Sequence, residues 1–313
     1  MRWKILAILV LVVGTVAALN INWHQPGNPN IVTHTMGGQQ FWTDKVYHVG
    51  WRIQHNVVTD HYRLLDPENR RHAWGTLEEC QQAFAAVRAQ KALSYDGKSV
   101  VFMIKGLGGM EDSFARLQQA MAADGHHVVY VAYPSTRQGI QHHARDITTV
   151  LNSLEGVDDI LFVAHSMGGL VMRQVLGDGG PWQDRINVRG LVMIGTPNQG
   201  ADLAERFKDH AAFEWATTEA GQDLRPENVA ALPGVTVRHC LVIGSTEGGE
   251  GMNPLIDGDD DGVVAVKTAL LPGSDDIVFV DEYHRQLPNH ADTIAAIRRF
   301  MDGGRCQPAG SVP

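Results

Sequence analysis

The regular alternation of apolar strand-like runs with helical patterns, from residue 99 to residue 301, most restricts how this chain can fold. Six apolar runs predict strands: Ser99–Ile104, His127–Tyr133, Ile160–Ala164, Val188–Ile194, Val235–Ile243 and Ile277–Val280. Apolar residues at three- and four-residue spacing predict helices between and after them: Asp112–Ala123, Ile140–Leu154, Gly169–Leu176 and Asp292–Met301. Strands that alternate with helices form a mostly parallel sheet with helices on both faces, so the predicted class is α/β.

Composition and charge exclude several other classes of protein. The 313 residues are 44% hydrophobic, which is enough to build a core and argues against a disordered chain. Lys and Arg number 26 against 35 Asp and Glu, so the formal net charge is −9. Binding to a nucleic-acid backbone depends on clustered cations, and the sequence has no run of them. We therefore expect no nucleic-acid partner.

The amino terminus has the pattern of an export segment. Arg2 and Lys4 precede an uncharged apolar stretch from Ile5 to Leu19, which ends in small residues before Asn20. Residues 1–22 are predicted to be either a signal peptide or an N-terminal membrane anchor, and the sequence leaves both open. In either case the rest of the chain is exported, either anchored to the membrane through this segment or released to the periplasm or exterior.

The remainder divides into an accessory region, an α/β domain and a tail. Residues 23–95 are irregular and rich in Trp, with strand-like stretches and one helix that starts at a Thr76–Glu79 capping box. Residues 96–305 form the α/β domain, in which the long connection 199–232 is a candidate lid, and residues 306–313 are a tail. The side chains of Trp42, Trp51 and Trp74 are either core residues or a binding surface for a peptide or glycan.

The three cysteines permit at most one disulfide bond and leave one thiol free. Cys240 lies in an apolar strand-like run, so we expect it to be an unpaired core thiol. Cys80 and Cys306 are far from it in sequence, and no pair has the spacing of a metal site.

A serine stands where a strand turns sharply into a helix. The apolar run that ends at Val163 continues into Ala164-His165-Ser166-Met167-Gly168-Gly169 and then into a helical pattern. Small residues at positions 164 and 168 suit a tight turn that leaves Ser166 exposed at its apex. The helix that begins there directs its first amides at the same place, so the N–H of Met167 is a candidate oxyanion donor.

This segment resembles the nucleophile elbow of the α/β-hydrolase superfamily, and in particular that of bacterial lipases and esterases. A second segment, Gly195-Thr196-Pro197-Asn198-Gln199-Gly200, is similar to the G-T-P-x-x-G segment of the same lipases. The resemblance covers about residues 99–301. It implies an α/β-hydrolase fold with a small cap or lid and a carboxylic ester hydrolase that uses a serine.

The glycine-rich loop after the first predicted strand resembles the oxyanion loop of these enzymes. It reads Lys105-Gly106-Leu107-Gly108-Gly109. In similar lipases the residue after the first Gly supplies the second oxyanion N–H, and this role carries over to Leu107. Those lipases have His where this chain has Lys105. Either Lys105 replaces the His by hydrogen bonds of its own, or it alters the choice of substrate.

Carboxylates after the fifth predicted strand are candidates for the acid of a catalytic triad. The segment Asp261-Gly262-Val263-Val264 resembles the acid loop of the lipases, which assigns the acid to Asp261, with Asp260 and Asp259 as alternatives. The stretch from Asp257 to Gly262, with Asp257, Asp259 and Asp261 at alternate positions, matches the opening of a calcium loop. The match fails at its twelfth position, where Thr268 replaces the bidentate Glu.

Two histidines near the carboxyl terminus are candidates for the base. His290 directly precedes the last predicted helix, in the loop where the fold places its catalytic imidazole, and His284 lies six residues earlier. We favour His290 because the packing of that helix against the sheet would fix it. His165 is expected to point away from the reacting group.

The sequence therefore predicts an esterase or lipase with a Ser166-Asp261-His290 triad and an oxyanion hole formed by Leu107 and Met167. Its substrate would be an acyl ester or a lipid, and no cofactor or metal is expected. An acyltransferase or thioesterase would use the same residues. A further alternative is a non-catalytic homologue that binds a lipid or a partner at the cell envelope.

Overall fold

The structure of the chain is a computed structural model that describes residues 33–35, 40–95, 99–207, 209 and 218–308. The predicted signal peptide or anchor at residues 1–22 lies outside these residues. Within the described ranges, no helix combines the length and the apolar character needed to cross a lipid bilayer.

The α/β domain is built on a six-stranded sheet whose neighbouring strands are all parallel. Its strands are β6 (Ser99–Ile104), β7 (His127–Val131), β8 (Asp159–His165), β9 (Asn187–Ile194), β10 (His239–Gly244) and β11 (Ile277–Val280). Their spatial order is β11-β10-β9-β8-β6-β7. The predicted α/β class is thereby confirmed.

Helices cover both faces of this sheet. The longer ones are α2 (Ala115–Ala123), α3 (Ile140–Ser153), α4 (Met167–Asp178) and α8 (Ala291–Gly303). Residues of α3 and α4 share one core cluster with one face of the sheet, and residues of α2 and α8 share a second cluster with the other. The alternation of apolar side chains along a strand supplies both clusters, because successive residues point to opposite faces. Phe102 belongs to the first cluster and Met103 to the second.

The accessory region forms a separate antiparallel sheet of five strands. Its elements are β1 (Thr33–His34), β2 (Trp42–His48), β3 (Trp51–Asn56), β4 (Tyr62–Leu65), β5 (Arg70–Gly75) and α1 (Leu77–Lys91). The spatial order of the strands is β1-β5-β4-β3-β2. The capping box that the sequence predicts at the start of α1 is present, with Thr76 Oγ1 accepting from Glu79 N–H. Helix α1 packs on one face of this sheet and completes a third core cluster.

Strand β2 attaches the accessory sheet to the α/β domain beyond the end of β7. The N–H of Asp44 donates to the carbonyl of Ala132 at 2.9 Å, and the N–H of Ala132 donates to Asp44 Oδ2 at 2.7 Å. Asp146 on α3 accepts from Thr43 and pairs with Lys45. Burial of Asp44 raises the pKa of its carboxyl to about 6. The two sheets are therefore joined by buried polar contacts.

The three tryptophans considered as a binding surface lie in different environments. Trp51 is buried among the core residues beneath α1, where its ring stacks on Phe84. Trp42 and Trp74 are half-buried, and each has its ring in edge contact with His61. Trp51 is therefore a core residue and cannot belong to a peptide or glycan surface.

The connection 199–232 contains short helices in its described part. Two of them are α5 (Asp202–Arg206) and α6 (Pro226–Ala230). The N–H of Ala201 donates to the carbonyl of Leu224, and Arg225 pairs with Glu205. The two ends of the connection are thus tied to each other. Another short helix of the α/β domain, α7 (Val266–Ala269), follows the acid loop.

Cys240 forms a disulfide bond with Cys306, which corrects the expectation that it is an unpaired thiol. The bond joins β10 to the segment that follows α8, and Cys80 is the free, buried cysteine. Asp276 holds the same segment by accepting from the N–H groups of Cys306 and Gln307. The sequence could not reveal this pairing because it depends on where the chain after α8 returns to the sheet.

Candidate active site

Ser166 occupies the sharp turn between β8 and α4. Its backbone has φ 56° and ψ −130°, a positive φ that a side chain disfavours. Its N–H donates to the carbonyl of Ile194 at 2.8 Å, which ties the turn to the end of β9. A strained serine held between a strand and a helix presents its hydroxyl away from the backbone of both elements.

The turn is possible because the chain carries no side chain at position 168. A Cβ on Gly168 would lie 2.6 Å from the carbonyl oxygens of both Ile104 and Lys105, which are backbone atoms at the end of β6. Ala164, at the other small position, is fully buried at the end of β8. The small residues singled out in the sequence therefore allow α4 to start directly against the neighbouring strand.

The loop after β6 lies directly beside the serine. A Cβ added to Gly106 would meet Ser166 Cβ at 2.6 Å and Ser166 Oγ at 3.1 Å. A side chain at this position would occupy the space next to the hydroxyl. The glycine thus lets the backbone approach the place where a reacting carbonyl would sit.

The two amides predicted to form an oxyanion hole lack acceptors among the described residues. The N–H of Gly108 donates to Ser135 Oγ at 3.0 Å and that of Gly109 to the carbonyl of Gly106 at 3.2 Å, but the N–H of Leu107 has no such partner. Met167 is the first residue of α4, where an amide has no intrahelical acceptor. Two donors near Ser166 are thus available to an oxygen of a ligand.

Asp261 makes its side-chain contact with His284. Oδ2 of Asp261 lies 2.7 Å from Nδ1 of His284, and both side chains are buried. The backbones are also linked, because the N–H of His284 donates to the carbonyl of Asp261 at 2.9 Å. Oδ1 of Asp261 accepts from the N–H groups of Val263 and Val264. A carboxylate held in this way fixes the tautomer and the orientation of the imidazole.

The structure does not bring His290 to Asp261, so the contact that would join these two residues in the predicted triad is not formed. His290 is the N-cap residue of α8: its side chain accepts from the N–H of Asp292, and its Nδ1 lies 3.7 Å from Asp292 Oδ2. The apolar stripe of α8 does fix His290 in place, but at a helix terminus. His284 follows the end of β11 by four residues, and this was the signal that could have identified it, because site residues of such sheets follow the carboxyl ends of strands.

The alternative acids of the loop have other partners. Asp260 is fully buried and accepts from the N–H of Gly262, and Asp259 accepts from the N–H and hydroxyl of Thr246. These carboxylates brace the loop that carries Asp261. Asp259, Asp260 and Asp261 therefore face different groups.

The side chain of His165 contacts the backbone of His284. Its Nε2 lies 2.9 Å from the carbonyl of His284, and the centroids of the two rings are 4.7 Å apart. Burial lowers the pKa of His165 well below its usual value, and His284 lowers it further. A neutral His165 N–H can donate to the backbone of His284, so His165 holds the segment that carries the imidazole.

The segment 195–200 lies between α4 and the imidazole of His284. The carbonyl of Asn198 accepts from Arg173 on α4, whose guanidinium also donates to the carbonyls of Leu232 and Pro233. A Cβ on Gly195 would lie 3.1 Å from Nδ1 of His284, so this segment also contacts the imidazole. It connects the serine turn, the imidazole and the end of the 199–232 connection.

A parallel sheet with helices on both faces, a strained serine between strand and helix, and an Asp–His pair at the same edge together give the chain the α/β-hydrolase fold. The domain belongs to the family described as "Domain of unknown function (DUF7379)", whose model matches residues 73–246.

Solved structures of similar fold include lipases and esterases. Bacillus licheniformis lipase BlEst2 in its mature form superposes with a TM-score of 0.53 at 16% identity, over 67% of this chain and 93% of that chain. The metagenomic carboxyl esterase MGS0156 gives 0.48 at 19% identity, over 61% of this chain and 66% of that chain. No curated protein matches the sequence.

Proposed function

We propose that the chain is a serine hydrolase that cleaves carboxylic esters with Ser166, His284 and Asp261. The observation that carries this proposal is the 2.7 Å contact between His284 Nδ1 and Asp261 Oδ2 at the edge of the sheet where Ser166 stands at its strained turn. A serine hydroxyl is a weak nucleophile until a neighbouring base removes its proton. Because Nδ1 is engaged by the carboxylate, Nε2 of His284 is the nitrogen that serves Ser166.

The reaction has two halves. Ser166 Oγ attacks the acyl carbon while its proton passes to His284 Nε2, and the carbonyl oxygen becomes an oxyanion that accepts from the N–H groups of Leu107 and Met167. The proton on Nε2 then passes to the leaving alcohol as the ester bond breaks. In the second half water attacks the acyl-enzyme, gives its proton to Nε2 and releases the acid, and Ser166 regains the proton. Asp261 stabilises the imidazolium in both halves.

An acyl ester or a lipid is the proposed substrate, and the site is proposed to act outside the cytoplasm. The connection 199–232 carries apolar residues such as Leu203 and Leu224 and would border the substrate as a lid. Export agrees with the Cys240–Cys306 disulfide, since such bonds persist in oxidising compartments. Residues 1–22 would direct export, as either a cleaved signal or an anchor.

The test is hydrolysis of p-nitrophenyl esters from acetate to palmitate by the full chain, compared with Ser166→Ala. We expect the Ser166→Ala rate to fall to the background, and the chain length that gives the highest kcat/KM to separate an esterase from a lipase. The matched control is Ser153→Ala on α3, whose hydroxyl contacts backbone groups away from the site. Equal rates for the parent chain and Ser166→Ala, with both folded by circular dichroism, would refute the proposal. Faster cleavage of a matched thioester would instead indicate a thioesterase.

A further inference from the structure

Behind the loop that carries Leu107 lies a network of three side chains, Lys105, Ser135 and Gln40. Lys105 is only 1% exposed, and its Nζ donates to the carbonyl of Gly109 at 2.8 Å. The same Nζ lies 3.3 Å from Ser135 Oγ, which in turn accepts from the N–H of Gly108. Lys105 therefore holds the loop from its buried side, and its ammonium group is turned toward the backbone of the loop.

The position of Lys105 is itself fixed. The hydroxyl of Tyr133 donates to the carbonyl of Lys105, and the Nζ lies 5.1 Å from the centroid of the Tyr133 ring. Burial lowers the pKa of Lys105 to about 7, and the charge of Asp44 opposes that shift. A neutral amine and an ammonium both carry N–H donors, so the bond to Gly109 persists in either state.

The third member comes from the accessory region. Gln40 lies just before β2, and its Oε1 accepts from the N–H and the hydroxyl of Thr136 at 3.1 and 3.0 Å. Its Nε2 lies 3.4 Å from the carbonyl of Gly109 and 3.3 Å from Ser135 Oγ. The accessory region thus contacts the same carbonyl that Lys105 holds.

These contacts fix the orientation of one peptide group. The N–H of Leu107 and the carbonyl of Gly106 belong to the same planar peptide, so the direction of one sets the direction of the other. The carbonyl of Gly106 accepts from the N–H of Gly109, and the carbonyl of Gly109 is held by Lys105 and Gln40. The contacts therefore extend from the buried side of the loop to the peptide group that contains the N–H of Leu107.

We propose that Lys105, Ser135 and Gln40 act as positioning residues that hold the Gly106–Leu107 peptide with its N–H directed at the oxyanion. On this account Lys105 acts through the loop and does not touch the substrate. The accessory sheet, through Gln40, is part of the catalytic unit. The expected kinetic effect of this network rests on the proposed ester hydrolysis, whereas its expected effect on the order of the loop does not.

The first test is Lys105→Met, which keeps the aliphatic side chain and removes the donor. Because a misplaced oxyanion donor weakens binding of the transition state alone, we expect kcat to fall by about 10- to 100-fold with KM changed by less than about threefold. Lys105→Gln, which retains an uncharged N–H donor, should recover part of the loss. Lys45→Met is the matched control, since it removes a lysine of β2 that pairs with Asp146 on α3, away from the loop.

The second test measures loop order without using activity. Hydrogen–deuterium exchange of a peptide that covers residues 105–111 should be faster in Lys105→Met and in Gln40→Met, while exchange over β8 stays unchanged. Ser135→Ala provides the same test if Lys105→Met does not fold. In the double variant Lys105→Met/Gln40→Met, the fold-reduction in kcat should be smaller than the product of the reductions in the two single variants. The reason is that both side chains hold the same carbonyl, that of Gly109.

The outcomes separate the two proposals. Unchanged exchange over residues 105–111, a fall in kcat equal to that of Lys45→Met, or a rise in KM at constant kcat would overturn the positioning role. If the parent chain shows no Ser166-dependent hydrolysis, the proposed function fails, and the exchange measurement still decides whether the network orders the loop.

Discussion

His284 Nδ1 and Asp261 Oδ2 lie 2.7 Å apart, and the N–H of His284 donates to the carbonyl of the same aspartate. Both the side chain and the backbone of His284 therefore contact Asp261, which lies 23 positions earlier in the sequence. This double contact gives His284 the carboxylate partner that the proposed mechanism requires of its base.

Replacement of His284 should reduce activity, whereas replacement of His290 should reduce stability. His284→Ala removes the group that accepts the Ser166 proton, so we expect ester hydrolysis to fall by at least about 10³-fold. His290→Ala removes the N-cap of α8 and should lower the free energy of unfolding by about 1 kcal/mol while activity is retained. Steady-state rates and urea unfolding of both variants check this. Activity lost in His290→Ala but kept in His284→Ala would restore the assignment made from sequence.

Asp261→Asn and Asp260→Asn should separate catalysis from bracing of the loop. An amide at position 261 does not fix the imidazole tautomer or stabilise its positive form, so kcat should fall by about 10³- to 10⁴-fold. Asp260→Asn disturbs only the contacts with the loop backbone and should mainly reduce stability. The measurement is kcat with an activated ester, with the melting temperature recorded for each variant. Equal losses of kcat in the two variants would argue against a distinct role for Asp261.

Reduction of the disulfide should destabilise the domain without altering the site directly. Cys240 and Cys306 are 66 positions apart, and closing a loop of that length stabilises the folded state by about 4 kcal/mol in the chain-entropy treatment. Urea unfolding with and without dithiothreitol measures the difference. Cys80→Ala should show the same effect of reductant as the parent chain, since Cys80 is the free cysteine. A midpoint that does not respond to reductant in either protein would contradict the bond.

Lys105 should make stability depend on pH above neutrality. Its pKa is about 7 in the folded chain against 10.5 normally, so between these values the unfolded chain binds more protons and stability rises with pH. From pH 7 to pH 9 the parent chain should gain about 2 kcal/mol relative to Lys105→Met. Urea unfolding of both proteins across this range provides the measurement. Parallel pH profiles for the two proteins would show that the pKa of Lys105 is not lowered.

The fold and the local part of the site could be read from the sequence because they depend on neighbouring residues. The alternation of apolar runs with helical patterns predicted the parallel sheet, and the run from Val163 through Ser166 to a helix predicted the sharp turn. The amides of Leu107 and Met167 are backbone groups, whose availability follows from the loop and from the start of α4. No distant contact is needed to predict these features.

Tertiary structure alone decided which side chains meet from distant parts of the chain. His284 and His290 both follow the last strand, and only packing at the sheet edge assigns one to Asp261 and the other to the end of α8. The partner of Cys240, the burial of Lys105 beneath its own loop and the contact of Gln40 with Gly109 have the same origin. Hydrophobic periodicity encodes which face of an element is buried, but it does not encode which distant side chain lies opposite, because that depends on how the elements pack together.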